Sequence, residues 1–429
     1  MNYQETLEYI NQVSYKGSVP GLTRVRELLR LIGNPQKQLK FIHIGGTNGK
    51  GSTAAFLSTV LVTAGYKTGL FISPYIEEFN ERMQINNRNI SDDELAEIAT
   101  YIRPFAESME DEPTEFELYT AICMEYYARN HCDIVVLEVG MGGEFDATNV
   151  IDAPEIAVIT AIGLDHTEQL GDTIEKIATT KSKIIKPGCS AVLYKQSDEA
   201  TDVIRARCEE VGAELYISEP ENLDLISVDL GSQRFNWPGY GELSIPLVGH
   251  YQLGNVSLVL KVIEVLNKKG YNLTPEIVRE GLARTYWPGR FEVIMHNPTF
   301  VVDGAHNPHG IRATAEGLGA VFKDEKLYII FGVMADKDYD EMLDVILPFA
   351  KEVLAVTPDN TRALPADRLA EIIRSKGVSA DSFGQLTDAI DTAIDRAGQD
   401  GIICAIGSLY MIGDIKKYIK KKKMEKERQ

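Results

Sequence analysis

Runs of consecutive apolar residues recur along the chain, each followed by a stretch in which apolar positions return every three or four residues. KFIHI (40–44), KTGLFISP (67–74), DIVVLEVG (133–140) and EIAVITAIG (155–163) are of the first kind. STAAFLSTVLVTAG (52–65) and the segments 92–109 and 114–130 are of the second, and residues 1–33 read as two helices, the second being GLTRVRELLRLIG. Uninterrupted apolar strands alternating with helices predict a parallel sheet covered on both faces. Residues 214–248 alternate more strictly and are richer in turn residues, which predicts a small antiparallel patch before a helix over 250–268.

A second alternating series starts near residue 299. TFVVDG, KLYIIFGVM, EVLAVTP and GIICAIGS are its strands, with helices beginning at His309, Tyr339 and Ala366 and a last one after the final strand. The fold class is therefore α/β, with an N-terminal domain over 1–295, a C-terminal domain over 299–429 and a linker at 296–298 inside the polar MHNP segment. A length of 429 residues agrees with two or three domains and can bury a core without disulfide or metal staples.

Composition removes several function classes. With 63 acidic residues against 44 basic ones the net charge is −19, which argues against a nucleic-acid binder. The segment 416–428 runs the other way, with eight bases to two acids, and reads as the solvated end of the last helix; contact with a membrane or RNA is the other reading it admits. Five cysteines, odd in number and without a CxxC pair, fit a reducing cytosol better than a disulfide framework or a zinc site. The polar, amphipathic N-terminus and the lack of an 18-residue apolar run predict a soluble cytoplasmic protein with no membrane association.

The chemistry begins at GGTNGKGST (45–53), which lies between a strand and a helix. Small residues there let backbone N–H groups approach phosphate oxygens, the helix N-terminus adds its positive end, and Lys50 reaches the β- and γ-phosphates. The strict Walker spacing is not kept: Ile44 occupies the first glycine position, and Gly51 follows the lysine where a hydroxyl is expected. A glycine-rich turn that only lets strand and helix pack closely is the alternative. Ligands of open α/β sheets gather beyond the carboxyl ends of strands. Ser73, Glu138 and His166 all fall at such ends and are suited to a magnesium ion on nucleotide phosphates. Each is also open to a structural role, as a cap or a satisfied loop histidine. In the second domain VVDGAHNPHG (301–310) repeats the arrangement with Asp303, His306 and Asn307, which would also suit an Asx turn and helix cap.

These motifs together, in order and over nearly the whole chain, resemble folylpolyglutamate synthase / dihydrofolate synthase of the Mur ligase superfamily. The resemblance rests on GGTNGKGST (45–53), FISPY (71–75), LEVGMGGEFDATN (137–149), GLDHTEQLG (163–171), KIIKPG (183–188), WPGRFEV (287–293), DGAHNPHG (303–310) and GSLY (407–410). It implies an N-terminal P-loop domain and a C-terminal Rossmann-like domain. It implies an ADP-forming ligase that adds L-glutamate to the γ-carboxylate of tetrahydrofolate, with dihydropteroate as a second acceptor in some members, using ATP and magnesium. By position in the motifs, Asn48, Gly49, Lys50, Gly51 and Ser52 match the triphosphate loop, and Asn255, Arg290 and Asp303 match further ATP contacts. Ser73, Glu138 and His166 match magnesium ligands, and Lys181 matches a carbamylated lysine that supports a second ion. Phe116, Glu117, Phe145, Asp146 and Ala147 fall where the pterin acceptor binds, and a monomer is the expectation.

The implied route passes the γ-phosphoryl group to the acceptor carboxylate, and the glutamate amine then attacks the acyl phosphate. Lys50, Arg290 and magnesium would neutralise charge, and His306 is a candidate base by position alone. The family usually reads Glu-Lys-Ala-Gly-Ile around that lysine, whereas this chain reads Thr180-Lys181-Ser182-Lys183-Ile184, so an acidic neighbour is lost and Lys183 gained, a departure that bears on the carbamate. Glu144 stands for an arginine after GMGG, and Tyr75 and Tyr251 replace frequent histidines; either these three tune substrate choice or they are neutral. Two competing readings remain, a Mur-type ligase acting on a cell-wall precursor and a nucleotide-binding regulator that has lost catalysis.

Overall fold

The computed structural model of the protein describes residues 1–13, 20–323 and 325–427. Two compact units emerge. The first comprises residues 1–223, 237–241 and 253–285, the second 224–236, 242–252 and 286–429.

The first unit opens with α1 (Tyr3–Gln12) and α2 (Thr23–Leu31), followed by β1 (Phe41–Gly45), α3 (Lys50–Thr63) and β2 (Thr68–Phe71). A short hairpin, β3 (Met83–Ile85) and β4 (Arg88–Asn89), leads to α4 (Asp92–Glu107), α5 (Glu115–Arg129) and β5 (Ile134–Glu138). Then come β6 (Ile156–Ile159), α6 (Thr167–Leu170), α7 (Ile174–Ser182), β7 (Ser190–Leu193), α8 (Asp198–Val211) and β8 (Glu214–Ile217). One eight-stranded sheet collects these strands in the order β4-β3-β2-β5-β1-β6-β7-β8. Its six strands from β2 to β8 are parallel, and β3 and β4 close one edge antiparallel.

The continuous apolar runs are explained by where the strands lie, since β1, β2, β5, β6 and β7 are buried along their whole length. α3 is buried from Ser52 to Leu61 and packs on β1, β2 and β5. α4 and α5 start on reciprocal caps, Ser91 with Glu94 and Thr114 with Glu117, which satisfy N–H groups their helices cannot. Those two helices share a core with α1, α2 and the β1, β2 and β5 side chains Phe41, Phe71, Val135 and Leu137.

The second unit holds most of a three-stranded antiparallel sheet, β9 (Asp224–Asp229), β10 (Ser232–Trp237) and β11 (Gly241–Ile245), in the order β11-β10-β9. The chain continues through α9 (His250–Lys268) and α10 (Pro275–Ala283); from Leu253 to the end of α10 it belongs to the first unit. A six-stranded sheet follows. It is built from β12 (Glu292–His296), β13 (Thr299–Val302), α11 (Pro308–Phe322), β14 (Leu327–Phe331), α12 (Tyr339–Ile346) and β15 (Ala350–Val356). It is completed by α13 (Ala366–Ser375), β16 (Ala380–Phe383), α14 (Leu386–Ala397), β17 (Ile402–Ile406) and α15 (Leu409–Glu427). The order is β12-β13-β17-β14-β15-β16, parallel except for β12.

Two expectations shift. Residues 214–217 form β8, a parallel edge strand of the large sheet, so the antiparallel patch begins only at Asp224. The expected linker at 296–298 is the turn between β12 and β13, inside the second unit. A polar turn and a polar linker have the same composition, and only pairing of the flanking strands separates them. The basic tail is helical as expected, although Arg428 lies outside the described residues.

Candidate active site

The order β2-β5-β1-β6 sets four strand ends side by side. Ser73 follows β2, Glu138 ends β5, the glycine-rich loop follows β1, and His166 lies beyond β6. At a strand spacing of about 4.8 Å, these four ends span roughly 15 Å. Residues separated by more than ninety positions in the sequence thus share one edge of the sheet, as the strand-end argument required.

The loop itself is held from outside. Thr47 N–H donates to Ala161 O at 2.8 Å and Asn48 N–H to the same oxygen at 3.2 Å, while Thr47 Oγ1 bonds both the carbonyl and the N–H of Gly163 at 3.0 Å. Gly46 and Gly49 have φ of +147° and +87°, and a Cβ on Gly49 would stand 2.4 Å from Asn255 Oδ1. Asn255 is therefore packed onto the phosphate loop, next to the residue that caps α3. The N-cap of α3 is Gly49, which brings no side chain of its own, and the positive N-terminal end of the helix is directed at the loop. Ser52 is buried just inside the helix and Gly51 precedes it.

Two lysines converge on this loop. Lys50 Nζ donates to Gly46 O at 3.2 Å and Thr47 O at 3.1 Å, and the buried Lys181 Nζ donates to the same Gly46 O at 2.8 Å. Burial pushes the Lys181 amine down to about 7, with the charge of Lys50 acting in the same direction and Asp165 and Asp146 opposing it. A large fraction of Lys181 is then an uncharged, nucleophilic amine near neutrality.

Glu138 is buried, and its Oε2 accepts from the Ser73 N–H at 3.2 Å. Ser73 Oγ accepts from Arg82 Nη1 at 3.0 Å. The buried Arg82 guanidinium lies 4.9, 5.5 and 4.7 Å from the rings of Tyr75, Phe79 and Tyr119. Tyr75, one of the sequence departures, thus forms part of a frame around Arg82. Ser73 and Glu138 offer hard oxygen donors of the kind magnesium takes, and they touch each other. His166 is exposed at the start of α6 with φ of +50° and its N–H on Asp165 Oδ1. Among the described residues no three His, Cys, Asp or Glu side chains gather into a chelating group.

The expected acceptor residues lie on the same unit. Phe145 is 55% exposed, and Ala147 and Asp146 are buried in a short turn. Phe116 packs edge-on against Phe71 and Tyr119 and covers Gly140, where a Cβ would stand 2.4 Å from its ring. Gly143 lies against Thr180 O and Lys181 Cα, and Glu144 N–H donates to Thr180 O at 3.1 Å. The GMGG loop is thus seated on the helix that carries Lys181. Glu117 is tied to structure: its carboxylate caps Thr114 N–H at 2.7 Å and pairs with Arg24 Nε at 2.9 Å. That engagement follows from its third position in α5, which a sequence motif cannot separate from substrate contact.

In the second unit, Asp303 is buried and accepts from Phe291 N–H and Ala305 N–H, both at 2.8 Å. Burial raises its pKa, while Arg290 and these N–H groups oppose the rise. Arg290 lies over Gly304, whose Cβ would stand 2.4 Å from Nη1. Tyr251, another departure, lies beside Asp303 and Arg290; burial and the Asp303 charge raise its hydroxyl's pKa, and Arg290 opposes them. His306 Nδ1 donates to Gly304 O at 2.9 Å, which in the neutral ring leaves the lone pair on Nε2. Asn307 caps α11 by accepting from Gly310 N–H. The Asx-cap reading of that segment therefore holds for Asn307.

Sequence reasoning missed Arg82, Tyr119, Thr47 and His43. Arg82 and Tyr119 are brought to the site only by the fold, whereas Thr47 lies inside the quoted loop and a histidine inside the apolar run KFIHI was a legible signal.

Residues 44–263 match the family described as "Mur ligase middle domain" and residues 289–409 match "Mur ligase, glutamate ligase domain". The chain is 36% identical to dihydrofolate synthase/folylpolyglutamate synthase of Bacillus subtilis, over 97% of this chain and 99% of that one. It superposes on folylpolyglutamate synthase of Mycobacterium tuberculosis complexed with ADP and AMPPCP with a TM-score of 0.88, at 30% identity and coverage of 97% and 99%. It also superposes on Escherichia coli FolC in complex with DHPP and ADP, with a TM-score of 0.86, 26% identity and 99% coverage of each. The phosphate loop, the neighbouring strand ends and these likenesses agree, and the chain belongs to the folylpolyglutamate synthase / dihydrofolate synthase family of the Mur ligases, which are ATP-dependent ligases using magnesium.

Proposed function

We propose that the protein joins L-glutamate to the γ-carboxylate of tetrahydrofolate and, as a second acceptor, to dihydropteroate. The observation that carries this reading is the gathering of the loop, Glu138, Ser73 and the Lys50/Lys181 pair at adjacent strand ends. Together they suit a magnesium-bound triphosphate next to an anionic acceptor.

A carboxylate does not form an amide at neutral pH until one of its oxygens becomes a leaving group. In the proposed reaction a carboxylate oxygen of the acceptor attacks the γ-phosphorus of ATP and ADP departs. The glutamate amine then attacks the acyl carbon and phosphate leaves. Lys50 and the α3 N-terminus hold the β- and γ-phosphates, with Asn48, Gly49, Gly51, Ser52 and Asn255 shaping the loop. Arg290 and Asp303 are the proposed nucleotide contacts of the second unit. Ser73, Glu138 and His166 are the proposed magnesium ligands; the ion supplies charge neutralisation on the phosphates. His306, with its lone pair on Nε2, is the proposed acceptor of the amine proton. Phe116, Phe145, Asp146 and Ala147 are the proposed pterin contacts.

Lys181 is proposed to carry a carbamate. Its uncharged amine can add to carbon dioxide and release a proton, which turns a cation beside Lys50 into an anion able to support metal. We further propose a monomer working in a reducing cytoplasm. Five free cysteines, all buried, support that compartment. Among the described residues no helix is long and apolar enough to cross a membrane.

The test is mass analysis of products after incubation with MgATP and L-glutamate, offering tetrahydrofolate and dihydropteroate separately. A gain of one glutamyl residue on both acceptors is expected. Gain on neither, with a UDP-linked cell-wall precursor converted instead, would replace this reading.

A further inference from the structure

His43 sits in the middle of β1, fully buried, two residues before the end of the strand. It lies opposite Leu137 of β5 and Ala157 of β6, and so faces the same side of the sheet as both. Its Nε2 is 2.9 Å from Thr148 Oγ1. That hydroxyl donates to Asp146 Oδ1, which also accepts the Thr148 N–H at 3.0 Å, while Asp146 Oδ2 accepts the Met141 N–H at 2.8 Å.

Burial raises the Asp146 pKa, but the Thr148 hydroxyl and the Met141, Thr148 and Gly140 N–H groups act against that rise, and with the carboxylate ionised the proton count fixes the direction of this chain. An ionised carboxylate only accepts, and a threonine hydroxyl has a single proton to give. With that proton on Asp146, the His43 Nε2 must be the donor. The ring is therefore the Nε2–H tautomer with its lone pair on Nδ1, a buried atom that has no hydrogen-bond partner among the described residues. A second ring proton would bury an unpaired N–H, so the imidazole stays neutral. Burial pushes its pKa down to about 3. The histidine is thus a fixed donor in the working pH range, and its N–H turns the Thr148 hydroxyl towards Asp146.

Asp146 in turn holds one end of the GMGG loop, which lies on Lys181 and leaves Phe145 exposed. We propose that His43 is a positioning residue for the acceptor substrate: through Thr148 it orients Asp146 and fixes the loop 140–147 against α7. The inference rests on the reading of Phe145 and Asp146 as acceptor contacts. The strand that ends in the phosphate loop would then also set the geometry of the acceptor side.

The test compares His43→Leu, His43→Gln, Thr148→Val and the double variant His43→Leu/Thr148→Val in the full chain. A glutamine amide can place an N–H near the Nε2 position, and leucine cannot. His43→Leu should weaken acceptor binding, by KM and by direct calorimetric titration, about tenfold, the usual weight of a hydrogen bond to a charged group's partner. The MgADP Kd should stay within about twofold, since no phosphate contact changes. His43→Gln should recover most of the loss, and the double variant should be no worse than the more severe single one. Nitrogen-15 spectra of the histidines should show one imidazole as the Nε2–H form, unchanged from about pH 5 to 8 and altered by Thr148→Val.

A titrating imidazole would overturn the hydrogen-bond chain itself. A His43→Leu protein with a lowered melting point but normal acceptor binding, or with acceptor and nucleotide weakened equally, would overturn the positioning role. If the unaltered protein bound neither pterin acceptor, the acceptor reading would fall and the positioning role with it, while the spectra would still decide the tautomer.

Discussion

The Lys50 ammonium and the partly charged Lys181 amine both donate to the single carbonyl of Gly46, an arrangement that calls for an anion. ATP supplies one for Lys50, and a carbamate would convert Lys181 into another. Intact mass and carbon-13 spectra under labelled bicarbonate should show one carbamate, lost in Lys181→Arg; a free amine throughout would refute it. Lys50→Met should lower glutamate-dependent turnover by about 10²-fold or more, read from steady-state ADP release. His43 gives a stability test of its own. Its folded pKa lies near 3 against an ordinary 6.5, so between these values the unfolded chain binds a proton that the folded ring refuses. Stability should therefore fall as pH drops from about 6.5 towards 3, by up to about 5 kcal/mol, and His43→Leu should flatten that limb in denaturant titrations. At this scale motifs in the sequence brought forward Lys50, Glu138, Asp303 and Lys181 as candidates. It hid Arg82, which reaches Ser73 only because the β3–β4 hairpin folds back beside β2.

The site depends on elements meeting in one order. Ser73, Glu138, the loop and His166 are neighbours because β2-β5-β1-β6 is the sheet order, not because of their spacing in the chain. The apolar runs made β1, β2, β5 and β6 legible, and the strand-end rule then located the site. β7, α8, β16 and α14 were not singled out: β7 is a four-residue strand just after KIIKPG, and the other three lie away from the motifs that guided the reading. β8 was assigned to the wrong sheet because its half-exposed edge position gives it the alternation of an antiparallel strand. Close approaches also leave testable marks. A Cβ on Gly46 would stand 1.8 Å from Thr160 Oγ1 at a φ of +147°. Gly46→Ala should destabilise the fold by about 1–3 kcal/mol in denaturant titration and weaken MgADP binding in calorimetry. At Gly281 a Cβ would meet Val60 Cα at 2.7 Å, so Gly281→Leu should separate α10 from α3 and lower the melting point.

A chain of net charge −19 that takes anionic acceptors and ATP must concentrate positive charge locally. Lys50 and the positive N-terminal end of α3 provide it at the loop. Acceptor KM should accordingly rise with added salt, most steeply near 0.1 M, where screening acts over about 10 Å; a flat salt profile would count against charge-based capture. The division into α/β units was legible from the repeated strand–helix alternation. Assignment of 224–236 and 242–252 to the second unit was not, because it depends on which core the antiparallel strands join. Val228 of β9 packs on the core of the second unit, a contact no local pattern predicts. The central claim is that an acceptor carboxylate is phosphorylated before glutamate attacks. It is tested most directly with acceptor labelled with oxygen-18 in that carboxylate, MgATP and glutamate, followed by mass analysis of the released phosphate. One labelled oxygen per phosphate, appearing in step with ADP and the glutamylated product, is the predicted result. Unlabelled phosphate accompanying ADP release, or ADP released without any need for acceptor and glutamate, would contradict it.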